Sequence, residues 1–135
     1  MPLVQWEASY SVKVKRCDDD HKKLFAMINT LHDAMTTGRG SQKIAEIVNG
    51  LRDYAKYHFS AEEQYLEKTN YPALSSHRAE HQAFVKRVEE FQKDVDAGKA
   101  AQSFAVVQFF NDWLVHHIKQ IDQKYSPHLN ANGIS

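Results

Sequence analysis

The sequence predicts an all-α fold, an antiparallel up-down-up-down four-helix bundle with an N-terminal arm. Three observations carry that expectation. Four long segments repeat apolar residues at spacings of three and four, which lines one face of a helix. The stretches between them, "TTGRGS" (36–41), "KTNYP" (68–72) and "DAGKA" (96–100), are short and rich in turn formers. No segment supports a strand by alternating polar and apolar residues. Four helices with short connections run antiparallel to their sequence neighbours.

The arm covers residues 1–17, where Trp6, Val12 and Val14 are expected to pack it on the bundle. The bundle covers residues 18–135, one domain overall. Its first segment, residues 18–37, opens on Asp18, Asp19 and Asp20, which suit the free N–H groups and positive dipole end of a helix start. Leu24, Phe25, Ile28, Leu31 and Met35 form its apolar stripe. The second, residues 41–67, carries Ile44, Ile47, Val48, Leu51, Tyr54, Ala55, Phe59 and Leu66 on one face. The third, residues 72–97, uses Leu74, Phe84, Val85, Val88, Phe91 and Val95. The fourth, residues 101–125, uses Phe104, Val107, Phe110, Trp113, Leu114 and Ile121.

Composition narrows the function. At 42% hydrophobic the chain buries a real core, and 17 basic against 17 acidic residues weigh against nucleic acid or an acidic membrane as partner. The single cysteine, Cys17, excludes an internal disulfide and fits a reducing compartment. No secretory leader is expected from "MPLVQWEASY", and the longest uncharged run, residues 100–111, is too short and polar to span a bilayer. A cytoplasmic domain without membrane insertion is the default. The unusual count is eight histidines.

Several of these histidines interrupt the apolar stripes. His21 lies one turn before Leu24 and Phe25; His58 and Glu62 continue the stripe of the second segment, and His77 and His81 interrupt that of the third. His117 follows Trp113 by four and Phe110 by seven, so it faces inward; His116 follows Asp112 by four and faces solvent. In an antiparallel bundle the start of the first helix, the end of the second, the start of the third and the end of the fourth share one end. Five core-facing histidines and two carboxylates, Glu62 and Asp122, therefore converge in one layer.

A single histidine on an apolar face is most often a satisfied core residue. Pairs four apart shift that balance, because a helix brings such side chains together. Burying this many imidazoles and carboxylates without compensation is very costly, and a metal supplies the compensation. Seven ligands exceed the needs of one tetrahedral zinc and suit two ions sharing carboxylates. The ferritin-like alternative needs Glu-x-x-His motifs, and the chain contains none. One spacing is irregular. Residues five apart on an α-helix diverge by about 140°, whereas four apart they diverge by about 40°. For His117 and Asp122 to face one site, the fourth helix must carry a π-type distortion or a break between about Leu114 and Asp122.

His21, "HFSAE" (58–62), "HRAEH" (77–81) and "HIKQID" (117–122) resemble the complete ligand set of the hemerythrin family, most closely its bacterial single-domain form. The resemblance covers nearly the whole chain, from "VQW" at 4–6 to Tyr125. It implies a cofactor of two non-haem iron ions with a bridging oxo or hydroxo group. His77, His81 and His117 would hold one iron fully; His21 and His58 would hold the other and leave a position open; Glu62 and Asp122 would bridge. Dioxygen would bind reversibly at the open iron, for storage, transport or delivery to an oxygen-consuming enzyme. The chain would be a monomer and not an enzyme; the competing readings are a peroxide or nitric oxide reductase and a sensor of oxygen, redox state or iron. Leu24, Ile28, Phe59, Trp113, Leu114, Ile118 and Tyr125 match oxygen-pocket positions, with plain core packing as the alternative reading of each. Leu114 is the expected gate. His32, three turns beyond His21, His116 and His128, in an expected polar tail, receive no metal role, and Cys17 is expected to be buried and inert.

Overall fold

In the computed structural model, residues 5–37, 41–97 and 104–135 are described; Val4, the core of the two glycine-containing turns and the side chain of Phe104 lie outside them. Four helical rods form the bundle: α1 (Lys15–Thr36), α2 (Ser41–Lys68), α3 (Leu74–Asp96), and a last rod built from α4 (Phe104–His116), a π-helical segment (His117–Asp122) and α5 (Gln123–Ala131). α1 packs against α2 and α4, and α3 packs against the same two, as an up-down-up-down order requires. No described helix is long and apolar enough to cross a membrane.

Two ends differ from expectation, each for a local reason. α1 starts at Lys15, three residues early, because Asp18 is not its cap. The Asp18 carboxylate instead reaches back to the arm, accepting the Val12 N–H at 2.8 Å and the Ser11 hydroxyl at 2.6 Å. The arm thus ends at Val14, with Val12 and Val14 buried and Trp6 and Tyr10 packed against the Phe25 ring. The fourth rod continues past Tyr125 to Ala131, through Pro127, and stops where Gly133 takes φ +81° and the Ile134 N–H bonds the Leu129 carbonyl. His128 therefore sits on a helix, not in a polar tail, and its Nε2 meets the Thr69 carbonyl at 2.9 Å.

α2 ends the same way. Asn70 adopts φ +55°, tolerated because its short polar side chain suffers least there, and the Tyr71 N–H closes back on the Leu66 carbonyl. α3 then begins at Leu74 and not at Pro72. The apolar stripes meet in one core: Leu24, Ile28, Leu31, Val48, Leu51, Phe84, Val88, Phe91 and Phe110 are all essentially inaccessible to solvent. Met35, Ile47, Val85 and Ile121 sit at the edges of the stripes and are only half-buried.

Candidate metal centre

Each helix delivers its polar residues to one end of that core. His21 lies in the second turn of α1, His58 and Glu62 in the last turns of α2, and His77 and His81 in the first turns of α3. His117 and Asp122 bound the π-helical segment. A π-turn adds one residue per turn, so residues five apart align as residues four apart do on an α-helix. The Asp122 Oδ1 accordingly lies 2.9 Å from His117 Nε2. All seven residues are at most 2% exposed.

The two carboxylates face two groups of imidazoles. Glu62 Oε2 lies 3.1 Å from His21 Nε2 and 3.0 Å from His58 Nε2, while its Oε1 lies 3.2 Å from His81 Nε2. Asp122 Oδ1 lies 2.9 Å from both His77 and His117 Nε2, while its Oδ2 lies 3.2 Å from His21 Nε2. Each carboxylate therefore spans between a two-histidine side, where Glu62 meets His21 and His58 and Asp122 meets His21, and a three-histidine side (His77, His81, His117).

Outer contacts set the tautomers. His58 donates its Nδ1–H to Asp20 at 2.9 Å, and His81 donates its Nδ1–H to Glu63 at 2.8 Å. With the proton on Nδ1, the Nε2 lone pair of a neutral ring points at the cluster. The His81 and His117 Nε2 atoms approach to 3.1 Å. Several inward-facing atoms, among them His58 Nε2, His77 Nε2, Glu62 Oε1 and both Asp122 oxygens, are buried without hydrogen-bond geometry to any partner. Convergent lone pairs with nothing between them to donate fit a pair of cations bound by nitrogen and oxygen donors.

Protons compete for the same lone pairs. Burial opposes a charged His21, yet the Asp122 and Glu62 carboxylates beside it outweigh burial and push its pKa up to about 10. His77 is pushed up to about 9, again against burial and through Asp122 and Glu62. Burial would raise both carboxylates, but the surrounding imidazoles hold Glu62 and Asp122 well below the usual range.

Residues 12–129 match the family model of the hemerythrin HHE cation-binding domain. The chain is 38% identical over 132 residues to the bacteriohemerythrin of Methylococcus capsulatus, spanning 97% of this chain and 100% of that one. The chain belongs to the hemerythrin family. A hemerythrin-like protein of Naegleria gruberi is 36% identical over 121 residues, 89% of this chain and 88% of that one. A solved wild-type hemerythrin superposes with a TM-score of 0.87 at 37% identity, covering 94% of this chain and 98% of that one. Hemerythrins bind oxygen at a non-haem di-iron site, and the cluster in this chain could hold metal.

In this hemerythrin chain the seven pocket candidates fall into three roles by contact. Leu24, Ile28, Leu114 and Ile118 are at most 1% exposed and belong to the core. Phe59 and Trp113 lie on the three-histidine side: Phe59 stacks on His81 with ring centroids 3.9 Å apart, and the half-buried Trp113 stacks on His117 at 4.5 Å. Tyr125 does more than pack, since its hydroxyl donates to Glu62 Oε2 at 2.6 Å. Burial and the neighbouring Glu62 push the Tyr125 phenol up, keeping it a donor. Burial likewise pushes the Cys17 thiol up, which fits an inert thiol. His116 is exposed, as its position opposite the stripe implies. Stripe periodicity missed Asp20 and Glu63 because both lie off the apolar face, yet each adjoins a cluster residue in sequence.

Proposed function

We propose that this chain binds dioxygen reversibly at a di-iron centre, as an oxygen store, carrier or donor to an oxygen-consuming enzyme. His77, His81 and His117 would hold one iron, His21 and His58 the other, with Glu62, Asp122 and an oxo or hydroxo group bridging. The observation that carries the reading is the asymmetry of the cluster. Both carboxylates reach both sides, so the two-histidine side offers one histidine fewer and would leave room for an exogenous ligand. The iron pair, when bound, supplies two electrons and that position. The chain's own residues do the rest. His58 is held in one tautomer by Asp20, Glu62 is held in place by Tyr125, and the buried Leu24, Ile28, Leu114 and Ile118 exclude water and anions that promote irreversible oxidation.

Metal analysis combined with an oxygenation spectrum tests this. The expected result is about two irons per chain and a visible charge-transfer band that forms in air and vanishes when oxygen is removed. Fewer than two metals per chain, or a band that decays irreversibly with turnover of a reductant, would overturn it.

A further inference from the structure

The outer carboxylates follow a rule that the ligands alone do not reveal. Asp20 on α1 takes the Nδ1–H of His58 on α2 at 2.9 Å. Glu63 on α2 takes the Nδ1–H of His81 on α3 at 2.8 Å. Glu80 on α3 faces the Nδ1 of His117 on the fourth rod, at 3.9 Å. Each adjoins a cluster residue of its own helix (His21, Glu62, His81) but serves a histidine of the next helix. The series ends there: His117 Nδ1 and His21 Nδ1, which an acceptor would have to serve, are both buried with no hydrogen-bond partner among the described residues.

The first two members are themselves held. Asp20 is 9% exposed, accepts the Tyr54 hydroxyl at 2.7 Å and lies 4.0 Å from the Arg16 guanidinium. Glu63 is gripped by Arg78 Nε at 3.1 Å, and the same guanidinium bridges to Glu67 at 3.2 Å. The Glu80 side chain is 39% exposed, and its separation exceeds a direct hydrogen bond.

We propose that Asp20 and Glu63 are a directional pair of positioning residues, each on one helix orienting the metal-binding histidine of the next, whereas Glu80 faces its histidine without bonding it. Their strength falls in the order Asp20, Glu63 > Glu80, and among the described residues no such carboxylate stands behind the Nδ1 of His21 or His77. The consequence is a division of labour: Asp20 supports the ion on the two-histidine side and Glu63 the ion on the three-histidine side. An outer carboxylate of this kind fixes ring orientation and raises ligand basicity, and its loss typically costs about 10–100-fold in metal affinity. This inference rests on reading the cluster as a two-metal site.

The test is titration of metal-free protein with Co(II), followed by visible absorption, together with the hyperfine-shifted, exchangeable imidazole N–H resonances of the loaded protein. Wild type is expected to bind two ions. Asp20→Asn should weaken one ion by about 10–100-fold and remove one shifted N–H resonance; Glu63→Gln should do the same to the other ion and a different resonance. Glu80→Gln should change neither affinity by more than about threefold. Asp20→Glu should recover the lost resonance, which a merely structural tie would not require. Equal effects of all three variants, or both losses falling on the same ion, would overturn the proposal. If Asp20→Asn does not fold, Glu63→Gln against Glu80→Gln decides it: equal losses sink it. A wild type that binds fewer than two ions would instead sink the two-metal reading beneath it.

Discussion

Ten residues along α1 from His21 stands Leu31; ten before His58 on α2 stands Val48; ten after His81 on α3 stands Phe91; seven before His117 stands Phe110. At about 1.5 Å per residue, the two layers are about 10–15 Å apart along the same helices. Both are essentially closed to water. The apolar layer is held by transfer of hydrocarbon from water and by edge-to-face packing of Phe91 and Phe84 on Phe110. The polar layer gains nothing from that source, because every buried carboxylate and imidazole there gave up hydration. The comparison teaches that a stripe of correct period says where a residue goes but not what stabilises it once there.

Removing the metal breaks the comparison most. A cation that binds only the folded state adds about 4 kcal/mol when free metal stands at about 1,000 times its dissociation constant. Metal-loaded and metal-free protein, unfolded in urea, should differ by that order. The difference should also depend on pH. His21 and His77, raised from 6.5 to about 10 and about 9, stabilise the metal-free fold fully below pH 6.5 and lose that contribution as pH rises through 9 and 10. Glu62 and Asp122 are lowered, so their contribution is present above the ordinary carboxylate range and lost as pH falls. Metal needs neutral imidazoles, so the gap between the two forms should widen from about pH 6 to about pH 9. A gap that narrows over that range would contradict the competition between protons and metal.

At the apolar layer, Phe91→Ala should cost about 3–5 kcal/mol in the metal-loaded and metal-free forms alike, read as parallel shifts in urea midpoint. A loss seen only with metal present would mean that the two layers are coupled. Leu114→Ala lies between the layers. It should destabilise by about 2–5 kcal/mol and speed autoxidation of the oxygenated form several-fold, since it opens space one turn from His117. An unchanged decay of the visible band would count against Leu114 as a gate. The smallest effect is expected from Tyr125→Phe, which removes one buried hydrogen bond to Glu62 and should cost about 1–3 kcal/mol with a shift of the visible band. Stability loss without any spectral change would reduce Tyr125 to packing.

Most of this was legible in the chain. Periodicity identified the four helices, and the even spacing of their polar interruptions put His21, His58, Glu62, His77, His81, His117 and Asp122 at one end, where the structure gathers them. The irregular five-residue gap called for an unwound turn, and a π-helical segment occupies residues His117–Asp122. Other features were not legible, because they depend on residues off the stripe. Asp18 and Asp20 looked like helix-start carboxylates, yet Asp18 ties down the arm and Asp20 holds His58; Glu63, which no stripe singled out, holds His81. The stretch around His128 was expected to be a polar tail, yet a helix runs through it to Ala131.

The amino-acid sequence by itself determined the bundle, the end at which chemistry gathers and the need for a distorted turn, because helical period and hydrophobic transfer act locally along the chain. Only the tertiary structure decided which carboxylate oxygen faces which imidazole, which ring Phe59 and Trp113 cover, and which helix supports the next. Those are distances between helices, set by how the rods pack, and no spacing within one rod contains them.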